Sequence, residues 1–316
     1  MSVVENTHDM HVVGPDGTPT TAGRGTARRR PGRATDGTPG VSDWKLTETY
    51  HGPTGEVRWA RLGERGADPV VLLHGTPFSS YVWRGIARSL ARRHEVYVWD
   101  MPGYGASEKA DGQDVSLAAQ GRVFAGLLSH WGLDRPRVAA HDFGGAVALR
   151  AHLLHDARYR RLALVDPVAV APWGSPFFRL VAGNSGVFEQ LPPALHRALV
   201  REYVSSASSP GLHPATLDRL VGPWLGDAGQ AAFYRQIARA DQRHTDEIQA
   251  RYGEIGIPVL VCWGADDTWI PADRGRELAA AIPGAALRLF PGAGHLVQED
   301  APAELAGALG DFLAAE

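Results

Sequence analysis

The chemistry of this chain turns on Asp142. It stands in Ala140-His141-Asp142-Phe143-Gly144-Gly145, directly after the apolar run 136–140 and directly before a small-residue run from Gly144 to about His155. The pattern reads as a sharp strand-to-helix turn, where a nucleophile sits on strained backbone and its neighbours must be small. A serine on such a turn makes acyl-enzymes from esters and amides, whereas a carboxylate can attack saturated carbon and leave an alkyl ester on the protein. A carboxylate attacking an ester would give an anhydride, which argues against esterase action. Gly144 and Gly145 supply the small neighbours, while Ala140 stands where the usual pattern has glycine. The competing reading makes Asp142 a helix N-cap, a role aspartate favours at the positive end of a helix dipole.

Three other reactive-looking segments obey the same placement. His74-Gly75-Thr76-Pro77, Gly264-Ala265-Asp266-Asp267-Thr268-Trp269-Ile270-Pro271 and Gly292-Ala293-Gly294-His295 each follow a predicted strand. Ligands of an open parallel sheet bind outside the carboxyl ends of its strands, so all four loops fall where a site is expected.

The elements that must position these loops alternate along the chain. Strands are expected over 44–50, 57–62, 69–74, 95–100, 136–140, 162–166, 257–263 and 286–290, the first two as a hairpin around 52–55. Helices are expected near 81–92, 115–131, 144–155, 274–282 and 303–315. Continuous apolar strands separated by helices predict an α/β fold with a mostly parallel sheet covered on both faces. Between 167 and 254 the rhythm breaks into a stretch with many aromatics, several prolines and helical patches at 193–203 and 230–240. The expected organisation is a disordered N-terminal arm over 1–41, a first part of the core over 42–166, a helical cap insertion over 167–254 and a second part of the core over 255–316.

Composition excludes several functions. At 316 residues with 44% apolar content, the chain can bury a full-sized core. A formal net charge of −3 gives no electrostatic case for nucleic acid or for acidic membranes. No apolar run approaches the roughly 18 residues of a membrane span. Arg28-Arg29-Arg30 is followed by polar residues rather than a hydrophobic segment, so a solvated tail is expected there, with the chain in the cytoplasm as a monomer or homodimer. The single cysteine, Cys262, excludes an internal disulfide framework and a Cys-based zinc site, and its apolar strand predicts a buried, inert thiol. The 13 histidines do not pair at ligand spacing with carboxylates on one predicted helix, so neither a metal nor another cofactor is expected.

Taken together, residues from about 44 to 316 resemble the α/β-hydrolase superfamily. His74-Gly75-Thr76-Pro77 is similar to its HGxP oxyanion loop, Ala140 to Gly144 to its nucleophile elbow, Gly264-x-x-Asp267 to its acid turn and Gly294-His295 to its histidine loop. His141-Asp142-Phe143-Gly144 further resembles the aspartate-nucleophile branch shared by epoxide hydrolases and haloalkane dehalogenases. The resemblance implies that Asp142 attacks carbon, that His295 activates water to hydrolyse the ester, and that Asp267 orients His295 and stabilises its imidazolium. Backbone N–H groups of Thr76 and Phe143 would hold the oxyanion formed when that ester is attacked. Asp266 and Asp166 compete with Asp267, and some dehalogenases carry their acid at the position of Asp166. His74 is expected to shape the oxyanion loop at the edge of the substrate site. His141 is expected to be structural.

What meets the leaving group separates the two branches. An epoxide oxygen becomes an alkoxide and needs a proton donor, which those hydrolases supply from cap tyrosines. Tyr234 and, more loosely, Tyr203 match that role. A halide needs N–H donors, commonly a Trp after the nucleophile; here that residue is Phe143, and Thr76 stands where Asn is common. In favour of a halide, the segment from Gly75 to Arg84 resembles dehalogenases, and Trp173 could donate. Phe78, Phe143, Trp173, Phe177, Phe178 and Phe188 are expected to face an apolar pocket for a small hydrophobic substrate. A natural-product tailoring hydrolase and a ligand-binding protein without turnover stand as alternatives to an epoxide hydrolase.

Overall fold

The computed structural model describes residues 44–315. Eight strands form one sheet in the order β1-β2-β4-β3-β5-β6-β7-β8: β1 Glu48–Gly52, β2 Gly55–Leu62, β3 Pro69–Leu73, β4 Glu95–Trp99, β5 Arg137–His141, β6 Arg161–Val165, β7 Val259–Gly264 and β8 Ala286–Phe290. The β1–β2 and β2–β4 pairs are antiparallel, and every other pair is parallel. The central strands carry the β-branched runs: Val70, Val71, Leu72 and Leu73 of β3 and Val96 and Val98 of β4 are fully buried. Strands covered on both faces cannot alternate apolar with polar residues, which explains these unbroken apolar segments.

Helices α1 Arg84–Leu90, α2 Leu117–Trp131 and α3 Phe143–Leu154 cross between the first strands. The predicted helix near 81–92 is split, because the Ser79 hydroxyl accepts the Tyr81 N–H and tightens Ser80–Trp83 into a 3₁₀ turn ahead of α1. Ser116 caps α2 at one end by accepting the Ala119 N–H, and Gly132, at φ 71°, closes the other. Cys262 is fully buried in β7, and burial pushes its thiol up to about 12.

Between β6 and β7 the chain is helical: α4 Pro176–Gly183, α5 Ser185–Phe188, α6 Pro193–Ser205, α7 Pro214–Val221, α8 Gly226–Ala238 and α9 Arg243–Gln249. Proline in the first turns of α4, α6 and α7 suits positions whose N–H has no helical acceptor. This layer is fastened to the sheet by named contacts. The Trp224 indole donates to the Pro77 carbonyl at 2.6 Å, the Tyr252 hydroxyl donates to the Ala169 carbonyl at 2.7 Å, and Arg150 of α3 pairs with Glu247 of α9. Beyond β7, α10 Asp273–Ala281 leads into β8, and the short α11 Val297–Asp300 precedes α12 Pro302–Ala314. No helix among the described residues is long and apolar enough to cross a membrane. The arm expected over 1–41 lies outside the described residues.

Candidate active site

Asp142 occupies the turn between β5 and α3 with φ 50° and ψ −120°, a region that side-chain-bearing residues rarely adopt. Its side chain makes no capping hydrogen bond to α3, so the N-cap reading fails. The carboxylate instead points into the loop after β3. There Oδ1 accepts the Thr76 N–H at 2.6 Å. A methyl at Gly75 would collide with the Asp142 side chain, and one at Gly144 would press on the His74 carbonyl, so the close approach of the two loops requires glycine at both. Ala140 needs no such exemption, because it lies within the strand, paired with Leu73, and its methyl is buried without displacement of the turn. The Phe143 N–H belongs to the first turn of α3, where donors have no helical acceptor.

His295, in the loop after β8, completes the arrangement. Its Nδ1 donates to Asp267 Oδ2 at 2.9 Å, and its Nε2 lies 3.4 Å from Asp142 Oδ2 without a hydrogen-bond partner. Asp267 is itself fixed, since its Oδ1 accepts the N–H groups of Trp269 and Ile270 at 2.7 and 2.9 Å. Of the rival acids, Asp266 is exposed, with Ser209 at 3.4 Å, and Asp166 accepts the Gly264 N–H rather than a bond from His295. Asp142, Asp267 and His295 are all buried, at 3%, 6% and 1% exposure.

Burial opposes a charged imidazole, yet the Asp267 charge, the hydrogen bond to Asp267 and the nearby Asp142 carboxylate outweigh it and hold His295 well above its ordinary value. The ring is thereby suited to carry a proton between two carboxylates. His141 behaves oppositely. Burial, then repulsion from His295, lowers it to about 3, so it is a neutral ring that donates Nε2–H to the His295 carbonyl at 3.0 Å.

A narrow cavity opens on Asp142, lined by Thr76, Phe143, Trp173, Phe178, Tyr203 and Trp269 among others. Several expectations need correction here. His74 does not line it: Nδ1 donates to the Gly75 carbonyl and Nε2 accepts the Met101 N–H, both at 2.9 Å, so the ring is fully used in holding the loop. Phe78 is buried behind the site, stacked on Trp269 at 5.9 Å. Phe177 and Phe188 pack together beneath Tyr203 and Tyr234 rather than on the cavity wall, because on α4 the next residue, Phe178, takes the inward face. The Trp173 indole lines the cavity but donates to Thr245 Oγ1 at 2.8 Å.

The two cap tyrosines exchange their expected ranks. Tyr234 is fully buried, absent from the cavity wall, and hydrogen-bonded through its hydroxyl to His196 Nδ1 at 2.9 Å, and His196 Nε2 in turn donates to the Trp224 carbonyl. Tyr203 lines the cavity, stacked on Trp269 at 4.4 Å, and its hydroxyl has no hydrogen-bond partner among the described residues. Burial, then the Asp142 charge, raises the Tyr203 hydroxyl far above the ordinary tyrosine range, keeping it protonated.

Two site residues escaped the sequence reading. Trp269 bridges Tyr203 and His295 by stacking, at 4.4 and 5.0 Å. Its position two residues after the acid was the available signal. Gln236 of α8 is buried and accepts from Thr76 Oγ1 at 2.5 Å and from the Tyr104 hydroxyl at 3.0 Å, tying a helix between β6 and β7 to the loop after β3. Helical periodicity marks Gln236 only as one polar residue among many.

A sheet of this order brings Asp142, Asp267 and His295 together from the loops after β5, β7 and β8. The family described as alpha/beta hydrolase fold matches residues 68–302, and the chain belongs to it. Among solved structures, an alpha/beta hydrolase fold protein from Burkholderia ambifaria is 48% identical, with a TM-score of 0.82 over 85% of this chain and 98% of that one. A curated relative, the 2-hydroxy-6-oxononadienedioate/2-hydroxy-6-oxononatrienedioate hydrolase of Cupriavidus pinatubonensis, is 28% identical over 74% of this chain and 82% of its own length. A haloalkane dehalogenase from Bradyrhizobium elkani, 20% identical, shares the fold with a TM-score of 0.71 over 84% of this chain and 97% of that one.

Proposed function

We propose that this hydrolase opens small, neutral, hydrophobic epoxides through a covalent ester on Asp142. The observation that carries the reading is the division of labour between the two carboxylate oxygens. Oδ1 sits on the Thr76 N–H while Oδ2 faces His295 at 3.4 Å. Oδ2 attacks an epoxide carbon, the C–O bond breaks, and the alkoxide takes a proton from the Tyr203 hydroxyl. The ester carbonyl is then Oδ1, already held by the N–H donor. His295 removes a proton from water as its oxygen adds to Cγ. Negative charge builds on Oδ1, where a preorganised donor is worth about 10²–10³ in rate. Collapse of this intermediate breaks the Cγ–Oδ2 bond, and the departing alkoxide takes the proton held by His295. The remaining carboxyl proton returns to the Tyr203 phenolate, and the diol leaves with the original Oδ2 while water oxygen stays in the carboxylate.

The donors around the cavity favour an epoxide over a halide. Phe143 offers no side-chain N–H, and the indoles of Trp173 and Trp269 are committed to Thr245 and Ser206. Among the described residues that line the cavity, the Tyr203 hydroxyl is a donor without a hydrogen-bond partner. Among the described residues, the cavity lining also contains no Lys, Arg or His, which argues against a dienedioate, whose two carboxylates would need cations. A paired panel of epoxides and haloalkanes, assayed for diol and halide release, tests the reading. Diol formation from neutral epoxides is expected. Halide release without diol would replace the reading with dehalogenation, and neither product would leave the ligand-binding alternative.

A further inference from the structure

A second buried carboxyl group stands behind His295 and Asp267 and has no part in the steps above. Asp166 follows β6 with φ 42° and is fully buried. The parallel pairing of Val165 with Cys262 sets it against β7, where its Oδ1 accepts the Gly264 N–H at 2.8 Å. Its Oδ2 is buried without a partner. One oxygen of Asp166, one of Asp267 and one nitrogen of His295 lie within 4.8 Å of one another.

Two carboxylates this close are sealed from water beside one imidazole, which bonds only Asp267. Both cannot be ionised without a large desolvation and repulsion cost, so one takes a proton. The donors decide which. Asp267 accepts from Trp269 N–H, Ile270 N–H and His295 Nδ1, whereas Asp166 has the Gly264 N–H alone. We propose that Asp166 is a neutral carboxylic acid whose O–H donates to Asp267, making it a positioning residue that holds the acid against His295. The orphaned Oδ2 thereby becomes a donor with an acceptor beside it. The titratable groups facing Asp166 are Asp267, His295 and the Cys262 thiol. Burial first, then the Asp267 charge, holds Asp166 well above the carboxylate range, in keeping with this arrangement.

The test needs no substrate, so it stands apart from the epoxide reading. In full-length protein labelled with ¹³C at aspartate carboxyls, one resonance at neutral pH is expected at the position of a protonated acid, and it should vanish in Asp166→Asn. If every aspartate carboxyl resonates as an ionised group, the proposal is wrong, and this wild-type spectrum decides even if the variant does not fold. The His295 ring, followed by ¹⁵N and assigned with His295→Gln, supplies a readout that a purely structural role would not move. Asp166→Asn, which keeps a neutral donor, should leave the His295 titration midpoint in place. Asp166→Ala should raise it, because the Asp267 charge is no longer shared with a donor. A fall of about 1–3 units in Asp166→Asn would mean that a negative charge had been removed, and would overturn the proposal.

Discussion

Replacing Tyr203 by phenylalanine removes one oxygen atom from the cavity wall and little else. The stack on Trp269 at 4.4 Å and the packing on Phe177 at 4.8 Å need only the ring. The hydroxyl has no partner among the described residues to lose, so the urea midpoint should not move. Turnover should move greatly: a positioned general acid contributes about 10²–10⁴-fold, or roughly 3–5 kcal/mol of barrier. Tyr234→Phe makes the opposite separation. It strands His196 Nδ1 in the interior and should cost about 1–3 kcal/mol of stability, with turnover little changed. Stopped-flow alkylation of Asp142 by an epoxide, alongside urea unfolding, measures both quantities in both variants. Full activity in Tyr203→Phe, or equal losses of turnover in the two, would refute the assignment of the proton donor.

Three further outcomes are expected. Asp267→Asn should lower kcat by about 10⁴, the scale on which losing a triad aspartate acts, while Asp166→Asn stays within a few-fold; the reverse ranking in steady-state assays would move the acid. Gln236→Ala frees Thr76 and Tyr104 from α8 and should reduce kcat about tenfold with KM little changed, a result that a rise in KM alone would contradict. His141, depressed to about 3, stays neutral in the fold. Its contribution to stability is present above the unfolded value of about 6.5 and is lost as pH falls towards 3, by up to ~1.4 kcal/mol per unit. His141→Gln keeps an N–H for the His295 carbonyl and should flatten that slope in urea titrations; an unchanged slope would locate the acid sensitivity elsewhere.

How much was legible in the sequence follows from what each signal depends on. Strand and loop placement depends on local apolar runs and turn residues, and so β8 and the four reactive loops stand where those runs put them. Asp142, Asp267 and His295 each follow a strand, and parallel strands necessarily deliver their carboxyl ends to one edge of the sheet. Donor roles in the helical layer depend instead on side-chain direction and on partners distant in sequence. Tyr234 matched by spacing, but His196, thirty-eight positions earlier, claims its hydroxyl. Trp173 lost its donor to Thr245 in the same way. Of the neighbours Phe177 and Phe178 on α4, both expected at the cavity, only Phe178 lines it, a distinction finer than any apolar pattern resolves. The cap-like contact of Gln236 with Thr76 spans 160 positions and leaves no local trace.

The direct test of the covalent step is one turnover in heavy-oxygen water, with enzyme in excess over an epoxide shown to be a substrate. The peptide containing Asp142 should gain one heavy oxygen, and the first diol released should carry none from water. Heavy oxygen appearing in that diol, with the Asp142 peptide unlabelled, would mean that water attacked the substrate directly and that no ester forms.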